Sequence, residues 1–224
     1  MVEVIDTPSH DLHEYDLLPG YIPRSNRSEL IDLSASLRAY QDGDEDPLYR
    51  IRVALVPAAM QCISGTPDNV DSNLAMYRFT GIAGVVNCTQ PIERACGVAR
   101  RLKEAGATII PFAINTHDYT ERVPAMLVAG GNLPIIDTSQ GWSLYQKETI
   151  SFVKQESRDV PVWGGNIVDA GGFNDLVEWG ADAVKVGMAV GAGCTTQEVL
   201  GVARRQAVAI MDVANARDDH YNRT

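Results

Sequence analysis

The chain is short of positive charge. Its 224 residues carry 19 lysines and arginines against 29 aspartates and glutamates, a net charge of −10. A protein that grips a phosphate backbone needs a basic face, so no nucleic-acid partner is expected. Long apolar runs are missing too. Nothing approaches the roughly 18 consecutive apolar residues of a membrane span. The start, MVEVIDTPSH, lacks the basic-then-apolar layout of a signal peptide. We therefore expect a cytoplasmic protein with no membrane partner. Cysteine is sparse: Cys62, Cys88, Cys96 and Cys194 form no C-x-x-C pair and have no histidine at ligand spacing. Neither a disulfide framework nor a zinc site is expected. No G-x-G-x-x-G follows the first apolar run, which removes the usual dinucleotide fingerprint.

What is present is ordinary in bulk, 45% hydrophobic and 21% charged, and suits one domain with a substantial core. Residues 1–50 read as an irregular lead-in. HDLHEYDLLPGYIPRSN is turn-rich, and QDGDEDP is a solvated acidic loop tip. Residues 51–224 settle into a rhythm of short apolar runs and longer helical periods. Strands are predicted at RVALVP (52–57), IAGVVN (82–87), ATIIPFA (107–113), LPIIDTS (133–139), VPVWGGN (160–166) and ADAVKVG (181–187). Helices are predicted at DSNLAMYRF, IERACGVARRLKEA, DYTERVPAMLVA, LYQKETISFVKQE, AGGFNDLVEW and RRQAVAIMDVANARDDH. Gly106, Gly130 and Gly180 read as helix stops, and Thr120 and Ser143 as helix caps.

Successive βα units whose strands are apolar on both faces imply an α/β fold with a parallel sheet covered by helices. An open doubly wound sheet and a TIM (β/α)8-type barrel both qualify. An even repeat of roughly 25 residues and the absent glycine fingerprint favour the barrel. Only six units are countable. In a barrel, chemistry collects at the C-terminal ends of strands. Met60, Asn87, Asn115, Asp137, Asn166 and the loop that follows Lys185 fall there. That loop, KVGMAVGAGCTTQE, runs from an apolar strand through three glycines to Cys194. Glycines permit close backbone approach, so the turn is built around something and presents a thiol beside it.

These segments together resemble the IMP dehydrogenase and GMP reductase family of (β/α)8 barrels. KVGMAVGAGCTTQEVLGV resembles its glycine loop and cysteine, and IIDTSQGWS and GGNIVDAGGF resemble the segments after its fourth and fifth strands. LVPAAMQCIS, AINTHDYTERVPAML and HDLHEYDLLPG resemble its first strand, third unit and N-terminal segment. The TTQEVL and DTSQG wording suits the dehydrogenase branch. The resemblance implies that Cys194 adds to carbon 2 of IMP, that NAD takes the resulting hydride, and that water releases XMP, a two-stage nucleophilic catalysis within guanine nucleotide biosynthesis. It implies Thr196 beside the reacting carbon and Asp137, Thr138 and Ser139 toward NAD. Met60, Asn166, Gly191, Ala192 and Gly193 would meet the nucleotide. The carbonyls of Gly187, Ala189, Gly191 and Cys194 would meet K+. It also implies a homo-oligomer, a tetramer by family, or a partner chain that completes the barrel.

Departures from the family pattern temper the expected activity. RRLKEAGATIIPFAINT runs on without the family's regulatory insertion. Ala189 replaces a glycine, a change tolerable if its φ stays negative. Ala192 replaces a serine whose hydroxyl would meet phosphate, a loss of about 1.5–3 kcal/mol and roughly tenfold in binding. Pro111 and Phe112 replace small residues, and a proline inside a central strand removes a ladder donor. The chain ends at DDHYNRT, where the resemblance leads one to expect a seventh strand, an eighth and a flap. The chain alone is thus expected to be weakly active or inactive. The alternatives are a GMP reductase-type enzyme and a non-catalytic barrel acting as a regulatory or assembly subunit.

Overall fold

In the computed structural model, residues 11–15, 32–37, 49–65, 69–189 and 194–223 are described. A single 3-10 turn, Leu12–Glu14, precedes a two-stranded antiparallel ribbon of β1 (Ala35–Ser36) and β2 (Arg50–Ile51). The boundary between lead-in and barrel drawn at residue 50 falls within β2. Helices α1 (Gln61–Ser64), α2 (Asp71–Thr80) and α3 (Ile92–Glu104) follow. Four βα units come next: β3 (Pro111–Ile114) and α4 (Tyr119–Ala129), β4 (Leu133–Ile136) and α5 (Leu144–Glu156), β5 (Trp163–Ile167) and α6 (Ala170–Glu178), then β6 (Ala183–Val186) and α7 (Thr196–Leu200). Helix α8 (Gln206–Arg223) closes the described chain.

The sheet is parallel, in the order β3-β4-β5-β6. Side chains alternate across a strand, and the two faces meet different covers. On one face Phe112, Ile114, Ile136 and Ile167 pack with helix residues, among them Ala99, Leu102, Met126, Val153 and Leu176. On the other, Ile109, Ala113, Leu133 and Ile135 pack with Leu37, Tyr49 and Ile51 of the N-terminal ribbon. The Trp163 indole N–H donates to the Leu37 carbonyl at 2.9 Å, which ties that ribbon to β5. The expected covered parallel sheet is therefore present. Among the described residues it is an open four-stranded sheet, without the closure of a barrel.

Two predicted strands need correction. RVALVP at 52–57 forms no strand: the N–H groups of Arg52 and Val53 go to the Thr80 carbonyl and that of Ala54 to Leu33. Its Leu55 is exposed, so apolarity there does not report burial in a sheet. IAGVVN at 82–87 lies alongside β3 but pairs only through an isolated Val86–Phe112 bridge. Its bonds, Ala83 to Ile109, Val86 to Pro111 and Ala113 to Val86, leave the ladder incomplete.

Helix positions match the predicted periods closely. Gly106, Gly130 and Gly180 all sit at positive φ past helix ends. Ser143 caps α5 by accepting from the Gln146 N–H. Thr120 caps nothing, because α4 begins one residue earlier and its N-cap is Asp118. Pro111 proves harmless: it is the first residue of β3, where a missing N–H breaks no ladder. Its carbonyl still accepts from Val86 at 2.9 Å.

Candidate active site

A cleft of about 280 Å³ opens at the C-terminal ends of β4, β5 and β6. Asp137, Thr138, Ser139, Asn166, Gly187, Met188, Ala189, Cys194 and Thr196 line it. The candidates drawn from three separate sequence segments thus converge on one opening. Gly191, Ala192 and Gly193 lie outside the described residues. Met60 does not line the cleft: it is half exposed at the start of α1, where its carbonyl accepts from Ile63 and Ser64. Asn87 and Asn115 hold their own loops. Asn87 accepts from Thr89 and donates to the Ala59 carbonyl, and Asn115 accepts from the His117 and Asp118 N–H groups.

The floor of the cleft is built from two interlocked turns. The Thr138 hydroxyl donates to the Gly165 carbonyl at 2.7 Å. The Asn166 N–H donates to the Thr138 carbonyl at 3.0 Å, and the Gly141 N–H to the Asn166 carbonyl at 2.7 Å. Gly141 and Gly165 touch backbone to backbone, since a Cβ on Gly141 would lie 2.5 Å from the Gly165 carbonyl carbon. This contact explains the glycine of DTSQG, and the second glycine of GGN is required by its φ of +147 and by Lys185 against it. The Asn166 amide then reaches β6, donating to the Gly187 carbonyl at 2.9 Å.

Lys185 is a site residue that the sequence motifs do not reveal. Its ammonium meets Asp137 Oδ1 at 2.5 Å, with both side chains about a third exposed (31% and 34%). The lysine stem passes over Gly165, where a Cβ would come within 2.7 Å of the Lys185 Cβ. A lone charged residue inside the apolar run ADAVKVG is the signal that points to it. Met188, largely buried yet lining the cleft, is a second such residue, and an apolar side chain after a glycine offers no signal.

The four cysteines differ sharply in setting. Cys96 is buried, Cys88 is half-buried, and Cys62 and Cys194 are exposed. Burial pushes the Cys88 thiol up, with the Asp137 carboxylate adding to it, and burial also pushes Cys96 up. Cys194 goes the other way. The Thr196 hydroxyl, 3.3 Å from the sulfur, is the largest cause, and the backbone N–H groups of Thr196 and Ala189 act in the same direction. The thiol donates to the Thr196 oxygen, and once it ionises the hydroxyl can turn to donate in its place, which favours the thiolate, the nucleophilic form. Ala189 holds φ +60, so the condition under which alanine would be tolerated there without strain is not met. A non-glycine residue in that region is strained by roughly 1–2 kcal/mol.

Comparison with known proteins yields relatives among the inosine-5'-monophosphate dehydrogenases. The chain is 42% identical over 117 residues to inosine-5'-monophosphate dehydrogenase of Tritrichomonas foetus, covering 52% of this chain and 23% of the relative. It is 41% identical over 113 residues to inosine-5'-monophosphate dehydrogenase 2 of Arabidopsis thaliana, covering 50% and 22%. The match to the Caenorhabditis elegans enzyme is 36% over 179 residues, covering 75% and 33%. The chain therefore spans a third or less of the length of these curated relatives. Residues 15–223 match the IMP dehydrogenase / GMP reductase domain, and the chain belongs to that family.

Proposed function

We propose that the cleft is an IMP dehydrogenase-type active site with Cys194 as its nucleophile. One observation carries this reading: Cys194 is exposed at the cleft and held toward its thiolate, whereas Cys88 and Cys96 are pushed the other way. In the proposed reaction the Cys194 sulfur adds to carbon 2 of the IMP purine and forms a C–S bond. NAD, when bound, supplies the acceptor for the hydride that leaves that carbon. Water then attacks the same carbon, the C–S bond breaks, and XMP departs as the thiol is restored. The Thr196 hydroxyl stays within reach of the sulfur through these steps and serves as the local proton carrier. The Asn166 amide holds the Gly187 carbonyl and shapes the wall against base and ribose.

Asp137 and Ser139 suit the nicotinamide-ribose end of NAD. Among the described residues only Oδ1 of Asp137 is engaged, by Lys185, which leaves the second carboxylate oxygen for a sugar hydroxyl. About 280 Å³ accommodates one ring and its sugar, and the rest of a dinucleotide has to lie along the open rim. The described residues do not by themselves make a K+ site. Gly187's carbonyl already accepts from Asn166, and Gly191 lies outside them, so no step runs through potassium.

Incubation with IMP and NAD+ is expected to yield NADH, and Cys194→Ala to abolish it. NADH formation that survives the substitution would contradict the thiol mechanism. A rise in melting temperature with IMP but no NADH would instead favour a binding subunit. Turnover of GMP with NADPH and release of ammonia would assign the reductase reaction. The relatives named above are all dehydrogenases, which favours the first assay.

A further inference from the structure

Asp137 and Lys185 meet across an intervening strand. Asp137 follows β4 and Lys185 stands in β6, with β5 between them. Neighbouring strands lie about 4.8 Å apart, so the two backbones are separated by roughly 10 Å. Only a long side chain bridges that gap, and only a bare backbone lets it pass. Both conditions hold. Lys185 pairs in register with Gly165 of β5, and its ammonium reaches Asp137 Oδ1 at 2.5 Å. A side chain at 165 would start 2.7 Å from the Lys185 Cβ, so glycine keeps the lane open.

Asp137 is held at both ends. Its N–H donates to the Ile114 carbonyl at 2.9 Å, which fixes the backbone, and the lysine fixes the carboxylate. Asp137 lines the cleft and Lys185 does not. The lysine therefore acts on the carboxylate rather than on a ligand. A side chain immobilised before binding loses no rotamer freedom when a ligand arrives, a loss that otherwise weakens binding by about threefold to tenfold.

We propose that Lys185 is a positioning residue for Asp137: it holds one carboxylate oxygen and leaves the other for a ribose hydroxyl of NAD. This inference rests on the reading of Asp137 given above and deepens it. Position and charge make opposite predictions. The nicotinamide ring of NAD+ is cationic, so removing an ammonium near it would tighten NAD+ by charge alone. Releasing Asp137 weakens NAD+ and NADH alike, because both carry the same ribose.

The test reads binding and requires no turnover. Titration calorimetry on the intact chain gives the Kd of NAD+, of NADH and of IMP. Lys185→Met keeps a stem beside Gly165 and removes the ammonium. The Kd of NAD+ and that of NADH are both expected to rise by about threefold to tenfold, with IMP unmoved. Lys185→Arg, which returns a cation to Asp137, should recover the affinity. In an Asp137→Ala background Lys185→Met should add nothing, as required of a residue that acts through another. A Lys185→Met chain that binds NAD+ as tightly as the parent or more tightly, or that loses IMP equally, overturns the proposal. So does a further loss on top of Asp137→Ala. Should Lys185→Met fail to fold, Lys185→Gln is read by the same criteria. Failure of the underlying reading looks different: Asp137→Ala then leaves the NAD+ Kd unmoved, or the parent chain binds no NAD+, and the proposal falls with it.

Discussion

Strands β3 and β6 belong to one sheet yet live in different solvents. All residues of β3 are buried, as are those of β4, whereas each residue of β6 is partly exposed. The cause is neighbours. β3 lies between β4 and the 82–87 segment, while among the described strands β6 pairs with β5 alone. The buried pair supplies rigidity through apolar contacts on both faces. The exposed strand tolerates a lysine, and Lys185 pairs with Asp137, which lines the cleft. The fully buried strand β3 thus lies at the far end of the sheet from β6 and from the loop that carries Cys194.

Paired truncations would break that division or sharpen it. Phe112 in β3 is 1% exposed and fills the space beside Gly131. Phe112→Ala should cost about 3–5 kcal/mol in urea denaturation. Val184→Ala in β6 should cost about 1 kcal/mol, since its side chain is only partly buried. Equal losses would show that the edge strand contributes as much as the interior one.

The next effect falls where the two regions meet. Gly165 sits at φ +147, and a methyl there would strike both Cβ and the carbonyl oxygen of Lys185. Gly165→Ala should cost roughly 2–4 kcal/mol from overpacking and backbone strain. Gly97 in α3 is the control, with nothing within 4 Å of an added Cβ. Gly97→Ala should stabilise by about 0.5–1 kcal/mol through helix propensity. If both glycines tolerated alanine alike, the close passage of Lys185 over Gly165 would have no energetic weight.

The same division explains what could be read from the sequence. Helices α2 to α6 and strands β3 to β6 were legible because apolar periodicity reports burial directly, and glycines marked the ends. RVALVP misled because its apolar residues do not enter the sheet, as exposed Leu55 shows. The β1–β2 ribbon was invisible, since two-residue strands have no period to detect. Within the candidate site, Asp137, Asn166 and Cys194 were named from motifs, and the topology places them together at the C-terminal ends of β4, β5 and β6. Lys185 escaped notice because its ion pair with Asp137 spans 48 residues of chain. Met60 was named by motif as well, and the structure places it at the start of α1 rather than in the cleft lining.

The smallest effect concerns the loop beside β6, where Ala189 sits at φ +60. Glycine adopts that angle freely, which removes a strain of roughly 1–2 kcal/mol, but it adds freedom to the unfolded chain worth about 0.5–1 kcal/mol. Ala189→Gly should therefore stabilise by about 0.5–1 kcal/mol, a rise of roughly 1–3 °C in Tm. The thiol should respond in the opposite sense, because a freer residue aims its N–H less firmly at Cys194. With a folded pKa below the unfolded one, the Cys194 thiolate adds stability above the unfolded value, and this is lost as pH falls through the folded value. In the glycine variant the midpoint of Cys194 alkylation by iodoacetamide across pH should move only slightly toward that of an ordinary cysteine, because the Thr196 hydroxyl, the largest cause, stays in place, while the melting temperature rises. A variant that gained stability and kept its acidic thiol would show that the strain at Ala189 and the activation of Cys194 are independent, and that the strained backbone on the exposed side of the sheet does nothing for the chemistry.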